Sequence, residues 1–263
     1  MQFMEYKQLY DRLNSVDDIA FLSENGVPEE LLLVLLTQKM VRNTKSNYYK
    51  VKAGSRKLIH AWKSGDSFVG ISKRVSFSPI MTARIILAEL GHPRTRINQY
   101  LTKPTEASDK RLRAELEAVL AADPVFSPMG YEIQRDRGKR GEAKLHQWLT
   151  ARGVKFMTEA EQKGINKKTP DFLFEKPIEV HGQRVRWIES KASFGDHIEI
   201  NANWKKQLKY YVDLFGPGMV VYWFGHLQHD LDKVVVFSGD RFGHIDEPAQ
   251  SFLEKINGNN GHK

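Results

Sequence analysis

The stretch that decides the fold is Lys168-Thr169-Pro170-Asp171-Phe172-Leu173-Phe174, answered downstream by Gln183-Arg184-Val185-Arg186-Trp187-Ile188-Glu189-Ser190-Lys191. Both Phe172–Phe174 and Gln183–Ser190 read as strands, with a turn region over Glu175–Gly182 between them. Side chains alternate along a strand, so Glu189 and Lys191 face the same side. If the two strands pair, Asp171 comes beside them. Two carboxylates and a backbone carbonyl, that of Ser190, then make an oxygen-only site suited to Mg²⁺ or Mn²⁺. A lysine next to such a site can orient a water and help it shed a proton, which is the chemistry of phosphodiester hydrolysis. The competing reading is a Glu–Lys surface pair on an ordinary strand.

Working outward, a helix is expected over Lys139–Arg152, with Leu145, Trp148 and Leu149 on its apolar side and Gly153 ending it. Glu142, near its start, offers a further carboxylate. Strands follow at Val154–Met157, Met219–Phe224 and Lys233–Phe237, and a helix at Trp204–Phe215 is closed by Gly216-Pro217-Gly218. The order α, β, β, β, α, β, β predicts a small mixed sheet with helices on its faces. Arg135, Arg137, Lys139 and Arg140 cluster just ahead of the metal motif and are candidates for phosphate contact. His226 and His229 have zinc-like spacing, but no third ligand is near in sequence, so they are read as loop residues.

The N-terminal half reads as helices. Ser15 is a cap for a short helix over Asp17–Glu24, Asn25-Gly26 closes it, and Val27-Pro28 opens a second over Glu29–Lys39. The same grammar recurs at Asp66–Arg74, a turn at Val75-Ser76-Phe77, then Ser78-Pro79 opening Ile80–Leu90, with Gly91 as the stop. Short helix, turn, longer helix is the helix-turn-helix pattern, and two in tandem favour DNA binding. Lys73, Arg74, Thr82 and Arg84 are where contacts are expected. A helix over Ser108–Ala121 with alternating charges looks structural. Asp123-Pro124 and Ser127-Pro128-Met129-Gly130 then read as a break, dividing the chain into a helical region 1–125, an α/β domain 126–258 and a flexible tail 259–263.

Charge supports this division. The 263 residues carry a net charge of +8, yet 13 basic residues against Asp66 and Glu89 lie between Lys39 and Arg96, leaving 27 basic against 30 acidic elsewhere. Charge so concentrated is an electrostatic footprint for phosphates. There is no cysteine, which excludes disulfides, thiolate metal sites and cysteine nucleophiles. The longest apolar run, Leu31–Leu36, is too short to span a bilayer. The N-terminus lacks a signal-peptide pattern, so an intracellular protein without membrane partners is expected.

At these residues the sequence resembles a known family. Lys168-Thr169-Pro170-Asp171-Phe172 and Trp187-Ile188-Glu189-Ser190-Lys191-Ala192-Ser193-Phe194-Gly195-Asp196 look like the TPD-motif proteins of archaea and eukaryotes, the codanin-interacting nuclease family. Phe215-Gly216-Pro217-Gly218-Met219-Val220-Val221-Tyr222-Trp223 and Ser78-Pro79-Ile80-Met81-Thr82-Ala83-Arg84-Ile85-Ile86-Leu87 share the likeness, which covers nearly the whole chain. The resemblance implies an α+β, two-domain protein: an all-α tandem helix-turn-helix domain, then a restriction-endonuclease-like PD-(D/E)xK nuclease domain similar to archaeal Holliday-junction resolvases. It implies divalent-metal-dependent cleavage of branched, flapped or junction DNA in repair. Asp171, Glu189 and Lys191 match its core motif, Glu142 its helix-borne glutamate, and Gln207 the polar helix residue that follows the motif in related nucleases. It also implies a homodimer for paired junction cuts, unless the N-terminal extension replaces the second subunit. A codanin-like partner and a nuclear or cytoplasmic location are expected only in a eukaryote; a microbial protein would be cytoplasmic and nucleoid-associated. The rival of a different class is a non-catalytic DNA-binding regulator or adaptor that uses the helix-turn-helix region.

Overall fold

The structure is a computed structural model, described here for residues 1–245, 248 and 250–255. The tail expected over 259–263 lies outside the described residues. The fold is mixed α+β: twelve α-helices among the described residues and one five-stranded sheet. The described residues divide into two compact units, one of residues 13–133 with 251–255, the other of residues 1–12 with 134–245, 248 and 250.

In the helical unit, α2 (Val16–Glu24) starts at a capping box in which Ser15 and Asp18 satisfy each other's amides. Helix α3 runs over Glu29–Ala53, fourteen residues beyond the expected stop at Lys39. Neither glycine nor proline interrupts the sequence from Glu29 to Gly54, so nothing local ends the helix sooner. Five consecutive residues near its start, Leu32 to Leu36, are each at most 2% exposed, so that stretch is buried all round, as expected inside a core. Phe252 packs at its start, and the amides of Phe252 and Leu253 donate to Glu29 Oε1.

Helices α4 (Ser55–Lys63), α5 (Phe68–Arg74), α6 (Pro79–Glu89), α7 (Arg94–Thr102) and α8 (Lys110–Ala122) follow. Helix α5 starts two residues later than Asp66 because Ser67 takes the cap, accepting from the Gly70 amide at 2.9 Å. Ser78 caps α6 as its Ser-Pro pair predicts. Phe68, Ile71, Ile80, Ala83, Ile86, Leu112, Leu116 and Val119 form the core. Asp123, fully buried, ties this core to α6: its Oδ2 accepts from Ser78 Oγ at 2.5 Å and the Ile80 amide at 3.2 Å, and its Oδ1 from the Val125 and Phe126 amides. The expected break at Ser127–Gly130 is instead a helix start. Ser127 Oγ accepts from the Gly130 amide and Pro128 opens α9 (Pro128–Thr150). A Cβ on Gly130 would lie 2.4 Å from the Pro124 carbonyl oxygen, so only glycine lets the chain pass that close.

The second unit holds the sheet, in spatial order β1 (Phe156–Thr158), β2 (Phe172–Val180), β3 (Gln183–Lys191), β4 (Gly218–Tyr222), β5 (Val234–Ser238), with the short α10 (Glu159–Gln162) after β1. The β1–β2 and β2–β3 pairs are antiparallel and the other two parallel. Strand β2 runs past Phe174 to a two-residue turn at His181-Gly182, both with positive φ, the geometry that fits the twist of a hairpin. A register irregularity between Leu173 and Ile178 accommodates Pro177, which cannot donate to a ladder. Between β3 and β4 the chain is mostly helical: α11 (His197–Asn203), a π turn (Trp204–Leu208) and α12 (Lys209–Phe215). The helix thus begins seven residues before the expected Trp204, capped by Asp196, whose Oδ1 accepts from the Glu199 amide. Helix α1 (Phe3–Arg12) belongs to this unit. Its Tyr6 stacks on Phe194 and donates to Asp196 Oδ2 at 2.5 Å. No described helix is long and apolar enough to cross a membrane.

Candidate functional site

Register builds the site. Phe172 pairs with Ile188, so Asp171 at the head of β2 stands opposite Glu189 at the end of β3. Asp171 Oδ2 accepts from the Ser190 amide at 2.7 Å, and the Asp171 amide donates back to Glu189 Oε2 at 3.3 Å. The two side chains are therefore held together by backbone amides, that of Ser190 on Asp171 and that of Asp171 on Glu189. Glu189 is 2% exposed. A buried carboxylate needs compensation, and its Oε1 receives two donors: Lys191 Nζ at 2.6 Å and Gln207 Nε2 at 2.7 Å.

Gln207 reaches the sheet from the π turn. One wide turn inside a helix shifts the side chains on either side of it, a device frequent at functional sites. Its Oε1 accepts from Lys191 Nζ at 3.0 Å, while its Nε2 also donates to Tyr211 Oη at 2.6 Å. Tyr211 in turn donates to the Thr169 carbonyl at 3.1 Å, two residues before Asp171. Thr169, Tyr211, Gln207, Lys191, Glu189 and Asp171 thus form one continuous hydrogen-bonded network. On its other side Ser190 Oγ accepts from Trp223 Nε1 at 2.8 Å. That indole lies so close to α9 that a Cβ on Gly141 would sit 2.4 Å from its nitrogen.

The electrostatics follow from the packing. Burial and the facing Glu189 carboxylate push the Asp171 carboxyl up to about 8. Burial, then the Glu189 carboxylate, also raise the Tyr211 hydroxyl. Glu142 is on the exposed face of α9 and hydrogen-bonds to none of this set. Partial desolvation, with Glu159 and Glu189 nearby, raises its carboxyl. Among the described residues no group of three or more Asp, Glu, His or Cys is gathered tightly enough to hold an ion. The structure brings Asp171, Glu189, Ser190, Lys191 and Gln207 into hydrogen-bond contact, with Glu142 beside them, close enough for Glu189 and Lys191 to act on its charge but not bonded to them.

A cavity of about 440 Å³ opens on the carboxylates, lined by Asp171, Glu189, Gln207 and Tyr211 and also by Lys167, Lys168, Lys206, Thr169 and Glu159. The three lysines are among the residues that sequence reasoning missed, with Tyr211, Trp223 and Glu159. The signal of the lysines was adjacency alone: Lys167-Lys168 runs into Thr169-Pro170-Asp171, and Lys206 precedes Gln207.

The expected DNA contacts scatter. Lys73 and Arg74 are exposed at the end of α5, with Arg74 paired to Asp66 at 2.7 Å. Arg84 is half-buried and donates to Asn98 Oδ1; desolvation, with Arg94 nearby, lowers its guanidinium. Thr82 is fully buried on α6 and cannot meet a phosphate there. In the other unit Lys139 is exposed, Arg140 pairs with Asp136, and Arg137 is buried with its guanidinium over the Phe224 ring. His226 and His229 take separate partners, the Leu227 carbonyl and His197 Nδ1.

Comparison with known proteins agrees with the motif. The family model described as "Protein of unknown function TPD sequence-motif" matches residues 108–238, a range that holds every residue of the network. CDAN1-interacting nuclease 1 of Mus musculus is 32% identical over 206 residues, 73% of this chain and 73% of its own. The Homo sapiens protein of that name is 30% identical with the same coverage, and that of Danio rerio 34% over 166 residues, 60% of this chain and 55% of its own. No solved structure matches. With the Thr169-Pro170-Asp171 motif seated at the network and relatives that align over most of both chains, this chain belongs to the TPD-motif family of the CDAN1-interacting nucleases.

Proposed function

We propose that this chain is a nuclease, and more specifically a divalent-metal-dependent endonuclease of PD-(D/E)xK type that hydrolyses phosphodiester bonds in structured DNA. The observation that carries the reading is the Asp171–Glu189–Lys191–Gln207 network at the mouth of a lysine-rimmed cavity. The names of its relatives support the coarser part.

The donor set fits Mg²⁺ or Mn²⁺. It is all oxygen, and Asp171 Oδ1 has no hydrogen-bond partner among the described residues, while its carboxyl is destabilised as an anion by burial beside a second carboxylate. Asp171, Glu189 and the Ser190 carbonyl would hold the ion, which supplies an acidified water and charge stabilisation at the phosphate. Lys191 has two of its three ammonium donors engaged, by Glu189 and Gln207. The third is left to orient a water or a phosphate oxygen. Gln207 and Tyr211 fix where that ammonium sits. Lys167, Lys168 and Lys206 attract the strand. The basic helical unit grips phosphates without reading bases, which favours shape over sequence. Lys73, Arg74, Arg84, Lys139 and Arg140 remain the proposed contacts, and Glu142 is proposed to approach only when the ion and substrate are bound. Homodimer formation and, in a eukaryotic source, a codanin-like partner belong to the same proposal.

The test is cleavage of labelled junction, flap, duplex and single-stranded DNA with Mg²⁺, Mn²⁺ or EDTA, beside Asp171→Asn and Lys191→Ala. Metal-dependent cleavage that falls on the order of 10³-fold in both variants is expected. Cleavage untouched by either variant, or tight binding with no cleavage under any metal, overturns the reading; the latter favours the adaptor.

A further inference from the structure

Between Glu30 and Asp66 the sequence contains no aspartate or glutamate, and the second half of α3 lies inside that interval. At 100° per residue, positions 45, 49 and 52 fall within an arc of about 60° on one helix face. They are Lys45, Tyr49 and Lys52, all exposed. Arg56, also exposed, lies four residues further on, in the first turn of α4 after the single residue Gly54. None of these three cations has an ion-pair partner among the described residues.

Tyr49 is 81% exposed, more than any other Phe, Tyr or Trp among the described residues. A lone exposed aromatic is ordinary, but this one is both flanked by cations and braced. Its ring meets Tyr48 edge-on at 5.4 Å, and Tyr48 packs against the helical core. The ring is therefore presented at low conformational cost. A π-face set among unpaired ammonium and guanidinium groups is the pattern that holds single-stranded nucleic acid: the charges track phosphates and the ring stacks a base. Base pairs in a duplex are stacked on each other and cannot use it.

We propose that this face of α3, centred on Tyr49 with Lys45 and Lys52 and followed by Arg56 at the start of α4, is a binding site for an unpaired DNA strand. The inference rests on the reading of the protein as a nuclease of structured DNA and names the feature of the substrate that the helical unit recognises. Branched and flapped DNA differ from plain duplex in offering such a strand.

The test uses the full chain in EDTA, so that nothing is cut, and measures fluorescence anisotropy of a labelled thymidine 20-mer, the corresponding duplex, and the duplex with a single-stranded overhang. Tyr49→Ala should weaken the single strand and the overhang by about tenfold and the plain duplex by less than about twofold. Tyr49→Phe, which keeps the ring, should bind like the parent. Lys45→Glu with Lys52→Glu should weaken the single strand and flatten its salt dependence, by about 0.7 in log–log slope for each phosphate no longer neutralised. Parent-like affinity of Tyr49→Ala for the single strand, or equal losses on single strand and duplex, overturns the inference. Cleavage assays separate the two readings. Metal-dependent cleavage with Tyr49→Ala binding normally sinks this site and spares the nuclease. Tyr49-dependent strand binding with no cleavage under any metal does the reverse.

Discussion

Asp171 carries an electrostatic conflict, a carboxyl buried against a second carboxylate. Its folded value lies above the unfolded one of about 3.9, so the folded state keeps a proton that the unfolded state has already lost. Stability therefore falls as pH rises from about 4 through the raised value near 8, because unfolding releases a proton over that window. The expected outcome in EDTA is a urea midpoint that declines across this range. Asp171→Asn, which cannot ionise, should flatten the decline, and Mg²⁺ should offset it most at the high-pH end. A wild-type profile that matches Asp171→Asn at every pH would show that the conflict is absent. The hydrogen bonds around Glu189 are matched, since its Oε1 receives two donors and Gln207 uses both ends of its amide.

At the scale of elements, Asp123 shows how one side chain fixes where helices begin. It is fully buried and receives four hydrogen bonds, two from the start of α6 and two from the segment that leads into α9. Asp123→Ala leaves those donors without an acceptor. We expect a loss of about 3 kcal/mol of unfolding free energy, read from urea melts. Asp123→Asn, which keeps one acceptor oxygen, should lose less. The aspartate is not visible as a clamp in the sequence, where Asp123-Pro124 reads as a chain break. The capping serines are visible: Ser15, Ser78 and their flanking residues mark helix starts by local chemistry, and the structure places caps at both. Stops are less legible. Helix α3 continues past Lys39 because tertiary burial of Leu32 to Leu36 sustains its first half and no breaker follows until Gly54. Strand β2 hides behind Pro177, whose irregular register breaks the alternation that would announce it. The Asp171, Glu189 and Lys191 set is legible because strand alternation and register are short-range rules. Lys206 is not, because its place at the cavity depends on a π turn that no local pattern signals.

Across the whole molecule, charge and chemistry separate. The net charge of +8 arises from an excess of eleven positive charges between Lys39 and Arg96, inside the helical unit, while the carboxylate pair and its lysine sit in the unit with the sheet. Affinity for DNA should then be set by the first and turnover by the second. Counterion release makes phosphate-driven binding fall with salt by about 0.9 in log–log slope for each phosphate neutralised on a duplex. Lys57 and Lys63 are exposed within the basic stretch and belong to neither the cavity nor the α3 face. Lys57→Glu with Lys63→Glu should weaken duplex binding in EDTA and reduce the salt slope by about 1 to 2. Single-turnover cleavage at saturating protein should stay within about twofold of the parent, because the reacting groups are untouched. Lys191→Ala should behave in the opposite sense, with affinity and salt slope retained and cleavage lost. Anisotropy titrations from about 50 to about 200 mM salt beside single-turnover assays give both quantities on the same preparations. If Lys191→Ala instead flattened the salt slope while the double reversal left it unchanged, the phosphates would be held at the carboxylate cavity. The basic stretch would then be a solvated face with no part in substrate capture.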